Sequence, residues 1–280
     1  MKAITRLVAV FAASALALGM FGCAASEPEP VETNPSEAQH YTSEEIGASD
    51  IAVEKSGFSI ADQASKDEEG NELSVPVVNF AFIAKNSNTG YVAENVPFSV
   101  TGLTADGGVA FNGAANCSFV YPGIDTAVSG TAELPADVGT DVAIDSISVE
   151  PLTANVEWMK TNLSDKEIAD MFAVDNAKAE RVGSDVIVEA AITGDIADAD
   201  KVFRIVEIEG TLEGHCVAIF TDAEGNILFG SESTNVLIDQ ETLDSLKAGD
   251  GEDGIMSNMS MMVQNAPDYA DFHIYMMPSI

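Results

Sequence analysis

Val96-Pro97-Phe98-Ser99-Val100-Thr101, followed by Asp106-Gly107-Gly108 and then Val109-Ala110-Phe111, is the stretch on which the fold is decided. Val96, Phe98 and Val100 alternate with residues of the other face, the period of a half-buried strand. Asp106-Gly107-Gly108 supplies the positive-φ residues that turn such a strand back on itself. Upstream, Asn71 to Ala84 carries Val75, Val77, Val78, Phe80 and Phe82 in a nearly continuous apolar run and reads as a central strand. Downstream, Tyr121-Pro122-Gly123 has Pro and Gly where a type II turn needs them, and a strand from Asp141 to Val149 closes at Glu150-Pro151.

The same order recurs. Val186, Val188, Ala190 and Ile192 alternate, Phe203 to Ile208 and Cys216 to Phe220 follow, and Glu224-Gly225-Asn226 turns into Ile227-Leu228-Phe229. Gly249 to Gly254 stands where the first unit has its Tyr-Pro-Gly turn, and strands from Ile255 to Gln264 and Ala270 to Met277 end the chain. This reads as an internal duplication. Short strands with regular turn punctuation predict an all-β chain of two tandem antiparallel β-sandwiches, at residues 49–160 and 161–280. A short helix is expected between them: Ser164 and Glu167 form a capping box, Leu163 and Ile168 a hydrophobic staple, and Ile168, Met171 and Phe172 share a face. With Trp158 it docks on the second domain or the junction. A second helical turn is expected from Gln240 to Lys247.

At the other end, Lys2 and Arg6 precede an uncharged, largely apolar run from Leu7 to Met20 and then Gly22-Cys23. The run is shorter than the ~20 residues of a membrane-spanning helix, so residues 1–22 read as a signal peptide. Gly22-Cys23 resembles the bacterial lipobox, which implies a lipid attached to Cys23 and an anchor on the outer face of a cell membrane, or in the periplasm where an outer membrane exists. A plain secretory signal cut near Ala24 or Ala25 is the alternative. Residues 23–48, rich in Glu, Pro, Ser and Thr, read as a disordered acidic linker, with His40 merely exposed in it.

The chain has 46 acidic against 12 basic residues, and removing Lys2 and Arg6 takes the formal charge from −34 to −36. Phosphates repel such a chain, so nucleic acid is excluded as a partner. Apolar residues make up 46% of the sequence, enough to fill a core despite the charge. Past Cys23 the remaining cysteines are Cys117 and Cys216. Each lies in register with apolar residues of a strand in a different unit, so two separate buried thiols are expected rather than a disulfide.

No catalytic constellation is legible. His40, His215 and His273 are scattered, His215 and Cys216 point to opposite faces of a strand, and phosphate-loop and zinc-protease strings are missing. No cofactor is implied. Two metal readings deserve stating. Asp250, Glu252 and Asp253 cluster as calcium ligands do, but without the spacing of the twelve-residue calcium loop. Met259 and Met261 with His273 offer a soft site for Cu(I), but alternation splits the methionines between two faces of their strand, which favours methionine as adaptable core filler.

Lys85-Asn86-Ser87-Asn88, the strand with Val96, Phe98 and Val100, Asp106-Gly107-Gly108-Val109 and Tyr121-Pro122-Gly123, taken in that order, resemble the immunoglobulin-like FxLYD-type domains of bacterial surface lipoproteins. The resemblance spans about Gly57 to Pro151 and, more faintly, Val182 to Ile280. It implies immunoglobulin-like sandwiches without catalytic residues. The function expected is that of a lipid-anchored binding or structural protein that presents its domains to a protein or glycan partner at the cell surface. A metal-handling or sensory accessory lipoprotein is the second expectation.

Overall fold

A computed structural model describes residues 40–46, 51–66, 72–134, 143–162, 164–170, 172–195, 212–238, 241, 244 and 254–279. Among these the chain is all-β, as the sequence predicts. The first part runs β1 (His40–Thr42), α1 (Ser43–Ile46), β2 (Ile51–Lys66), β3 (Glu72–Asn86), β4 (Tyr91–Thr104), β5 (Val109–Val120), β6 (Asp125–Glu133), β7 (Ile144–Pro151) and β8 (Glu157–Lys160). After α2 (Asp165–Asp170) come β9 (Phe172–Val182), β10 (Asp185–Asp195), β11 (Leu212–Thr221), β12 (Ile227–Ile238), β13 (Gly254–Val263) and β14 (Asp271–Ser279).

The strands form four sheets with antiparallel pairing. Sheet I is β1-β8-β4-β5 with β7 also on β4, sheet II is β2-β3-β6, sheet III is β12-β11-β14 and sheet IV is β13-β10-β9. Connectivity repeats. A hairpin in sheet II (β2, β3) leads to a hairpin in sheet I (β4, β5), a return strand in sheet II (β6) and a last crossing to sheet I (β7, β8). The chain then does the same in sheet IV (β9, β10), sheet III (β11, β12), sheet IV (β13) and sheet III (β14). The two hairpin turns match in detail: Gly107 and Gly225 have φ of 83° and 82°, and each is bonded by its N–H to the carbonyl three residues back, Thr104 or Asp222.

Each sandwich closes over aromatic and aliphatic side chains. Phe82 of β3 and Phe98 of β4 meet at 4.8 Å between ring centroids, and Phe220 and Phe229 stack at 4.4 Å. Burying one such side chain fully is worth roughly 1.5–3 kcal/mol. The sandwiches also pack on each other through sheets II and III. Val217, Ile219, Ile227 and Met277 of the second half share a core with Ala81 and Ile83 of the first. Small residues set the approach. A Cβ at Gly57 would lie 1.8 Å from the Ile227 carbonyl oxygen, and one at Gly230 would lie 2.8 Å from the Ala81 Cβ and 2.9 Å from the Ser129 Cβ.

The asparagine turn singled out in the sequence has a structural reason. Asn86 is buried, yet its side-chain amide donates to the carbonyls of Tyr91 (2.8 Å) and Val120 (3.0 Å), and its Oδ1 accepts from the Asn88 backbone N–H at 2.8 Å. Its own carbonyl accepts from Gly123, whose φ of 72° suits the Tyr121-Pro122-Gly123 turn. One side chain thereby ties the β3–β4 turn to the β5–β6 crossing.

Several expectations shift. Residues 40–46, read as the end of the linker, form β1 and α1. Here Thr42 and Glu45 make a capping box of their own, Trp158 Nε1 donates to Ser43 Oγ at 2.8 Å, and β1 pairs with β8. The capping box at Ser164 and Glu167 is present, with bonds of 2.9 and 3.3 Å, but the helix it starts ends at Asp170, and Phe172 opens β9 instead of extending the helical face. Leu163, Met171, Phe203 to Ile208 and, apart from Glu241 and Asp244, the turn at Gln240 to Lys247 lie outside the described residues.

Candidate functional site

A cavity of about 460 Å³ opens where the β5–β6 crossing, α2 and β14 converge. Each wall has a local cause. Tyr121 is buried beside the Pro-Gly turn, Ile168 is the one buried residue among the described positions of α2, and Phe172 follows where the helix gives way to β9. His273 and Tyr275 are alternate residues of β14. They share a face and pack ring to ring at 4.7 Å, nearly perpendicular. Asp125, at the start of β6, supplies a carboxylate.

Burial first, and the negative Asp125 second, push the Tyr275 phenol above its ordinary value. The Tyr121 phenol is pushed well above its own, again mainly by burial. Both phenols are therefore neutral at physiological pH. Asp125 is drawn towards Lys85 at 3.7 Å. The cavity thus offers half-buried aromatic faces, a neutral phenol, an imidazole and a carboxylate in a volume usual for small-molecule sites.

A second cleft of about 350 Å³ lies along the contact of sheets II and III, lined by Asp62, Asn79, Thr131, Glu232 and Asn265 among others. Part of its polar lining is engaged. The Asn265 side chain donates to the Asp62 carbonyl at 3.0 Å, while Glu232 lies 3.4 Å from Ser129 Oγ and 3.2 Å from His215 Nε2.

The structure separates the residues of the copper reading. Met259 and Met261 are buried on β13 in the core between sheets III and IV. Ile274 of β14 faces that core, which puts its neighbour His273 on the opposite side of sheet III, in the cavity. Cys23 and the acidic residues Asp250, Glu252 and Asp253 lie outside the described residues. Cys117 and Cys216 are buried, free thiols in different cores. Burial pushes the first up to about 12 and the second to about 11, so neither is a nucleophile at neutral pH.

His40 is not a lone side chain. Its Nδ1 lies 2.9 Å from Glu94 Oε2. Of the cavity's members only His273 was nominated by sequence, and then as a copper ligand with Met259 and Met261. Tyr121 signalled only a turn, Phe172 a helical face and His273 a metal, and three elements distant in the chain had to converge before their common cavity existed.

No family model matches the chain, and no curated protein matches it. Among solved structures, the N-terminal CBM22-1-CBM22-2 tandem domain of Xyn10C from Paenibacillus barcinonensis is 10% identical. It covers 85% of this chain and 88% of that one at a TM-score of 0.19. Bacteroides uniformis β-glucuronidase 2, covalently bound to cyclophellitol-6-carboxylate aziridine, is 7% identical and covers 82% of this chain and 30% of that one, also at 0.19. At such scores neither likeness bears on fold or ligand, and the sandwich architecture stands on the strand pairing described above.

Proposed function

We propose that the chain is a non-catalytic binding protein, held at the outer face of a cell membrane through a lipidated Cys23, that takes a neutral glycan in the cavity walled by Phe172, Tyr275 and Tyr121. The carrying observation is the pairing of half-buried aromatic rings with a small set of polar groups. The apolar face of a sugar ring stacks on Phe172 and Tyr275, while its hydroxyls bond Asp125, His273 and the Tyr275 phenol. Hydrolysing a glycosidic bond takes two carboxyl groups flanking it, and this cavity's lining supplies one, Asp125. A chain of formal charge −34 also repels acidic sugars, which favours neutral ones.

Titration calorimetry with neutral hexoses, N-acetylhexosamines and their disaccharides tests the reading. Binding is expected, and Phe172→Ala and Tyr275→Ala are each expected to weaken it by about 2- to 12-fold, the equivalent of ~0.5–1.5 kcal/mol of aromatic packing. Binding that is absent, or unchanged in both variants, overturns it. The anchor is supported by Gly22-Cys23 after the apolar run. Cys23→Ala should leave the membrane fraction or keep its signal peptide, and a processed, detergent-dependent Cys23→Ala protein would refute lipidation.

A further inference from the structure

Glu94 and Glu157 are register partners on β4 and β8. Like charges directly opposed on neighbouring strands repel. Here one of them, Glu94, has a side chain only 13% exposed, so the repulsion is poorly screened by water. Burial accordingly pushes the Glu94 carboxyl above its ordinary value, with the neighbouring Glu157 adding to the rise and His40 opposing it. On the other side of β8, strand β1 pairs Thr42 with Glu157 and brings His40 alongside. The imidazole Nδ1 is 2.9 Å from Glu94 Oε2 and 3.7 Å from Glu157 Oε2. One donor atom from each of the three residues lies within 4.8 Å of the others. Among the described residues, the ion pairs of both carboxylates are with His40.

A singly charged imidazolium offsets one carboxylate, whereas a divalent cation offsets both and uses the neutral imidazole as a third ligand. The separations agree. Bonds of about 2.0–2.2 Å to nitrogen and oxygen place neighbouring ligand atoms of a tetrahedral ion roughly 3.2–3.6 Å apart, between the 2.9 and 3.7 Å seen here. All three ligands come from adjacent strands of one sheet, which holds them more rigidly than a loop would. Glu94 is the enclosed ligand; His40 at 47% and Glu157 at 69% exposure leave the other side open to water.

We propose that His40, Glu94 and Glu157 form a binding site for one first-row divalent transition-metal ion. Imidazole with carboxylate suits zinc and its neighbours, not Ca²⁺, which takes oxygen ligands, nor Cu(I), which prefers sulfur. The site therefore differs in its residues and chemistry from both metal readings of the sequence. It shares no residue with the lining of the glycan cavity. Its structural effect is to pin β1, held to β8 by three register pairs, to the rest of sheet I.

Equilibrium dialysis of the chelator-treated, full-length protein in detergent against zinc, with millimolar calcium filling non-specific acidic sites, tests this. One zinc per chain is expected, with affinity at least tenfold weaker in His40→Gln and Glu157→Gln. Both altered residues are exposed enough for the variants to fold, which Glu94→Gln need not. Zinc should raise the melting temperature of the unaltered chain and not of these variants. No saturable zinc under these conditions, or zinc bound equally by both variants, overturns the site. The double variant Met259→Leu/Met261→Leu should bind as the unaltered chain does; loss of zinc there would place the ion elsewhere.

Discussion

β3 and β10 hold the same place in the duplicated strand order, yet they are buried differently. β3 is covered on both faces from Val77 to Ala84, with only Asn79 half-buried, while β10 buries Val186, Val188, Ala190 and Ile192 and leaves the residues between them half-exposed. The next pair reverses this. β4 alternates through Val96, Phe98 and Val100, whereas its counterpart β11 is buried without interruption from Cys216 to Phe220. The halves therefore do not meet like on like. The β2-β3-β6 sheet of one lies on the β12-β11-β14 sheet of the other, a head-to-tail contact that could in principle be repeated by further copies. The outer faces differ from this contact in chemistry. On the outward face of sheet IV, Lys178 pairs with Glu189 at 2.8 Å and Thr193 bonds Asp175 at 3.0 Å, and β4 turns Ser99 and Thr101 outward.

The largest effect should come from pulling the halves apart. Sheets I and II use strands up to Lys160 and sheets III and IV strands from Phe172 on, so we propose two domains divided near residue 161. Residues 38–160 and 161–280, expressed separately, should each give a β-type circular dichroism spectrum and a cooperative melt. Each should melt below the whole chain and bind a hydrophobic dye through its bared inner sheet, around Ala81 and Ile83 or Val217 and Ile219. Mixing them should restore the higher melting temperature. An unfolded fragment beside a single transition for the whole chain would break the comparison, because the halves would then be one folding unit.

A smaller effect separates tight contact from backbone conformation. Gly57→Ala drives a methyl group into the Ile227 carbonyl, so sheets II and III must move apart; overpacking of this kind costs about 1–3 kcal/mol. Gly107→Ala meets nothing within 4 Å and suffers only from its φ of 83°, for roughly 1–2 kcal/mol. In denaturant melts both should lose stability, and Gly57→Ala alone should also loosen the halves in hydrogen exchange. Equal protection of sheets II and III in the two variants would mean that the close approach at Gly57 does not hold them together.

The difference between inner and outer strands was legible in part. The continuous apolar run of β3 announced a central strand, and the strict alternation of β10 a half-buried one, because period two follows directly from which faces are covered. The hairpins were legible from their glycines. β2 and β9 were not: Glu54, Lys55, Asp175, Lys178 and Glu180 interrupt them, since both lie at sheet edges, where charge discourages further pairing and hides the strand signal. The cavity and the His40 cluster were illegible for another reason. His40, Glu94 and Glu157 are 54 to 117 positions apart in sequence and are brought near by sheet register, while Tyr121 and Tyr275 are 154 apart and meet only once the chain has folded.

The smallest predicted effect compares the two duplicated hairpins. Asp106 is held below the usual carboxylate range by bonds from the Thr104 hydroxyl and then the Gly108 N–H, and Asp222 by bonds from the Asn226 side chain and backbone and the Glu224 N–H. A carboxyl held low when folded contributes stability that is present above its unfolded value, near ~3.9, and lost as pH falls through the folded one. Both turns should therefore weaken below about pH 4 and not above it. Both carboxylates sit in solvent-exposed turns, so the effect on the global melt is small and best read locally. Carboxyl carbon NMR should show both titrating below an unfolded aspartate. Asp222→Asn should speed amide exchange at Glu224 and Asn226 above pH 4 while leaving the Thr104 to Gly108 turn as it was, and near pH 2 the difference from the unaltered chain should vanish. If Asp222→Asn loosened both turns alike, the hairpins would be coupled through the stacked sheets, and the independence of the two copies would fail at its most local point.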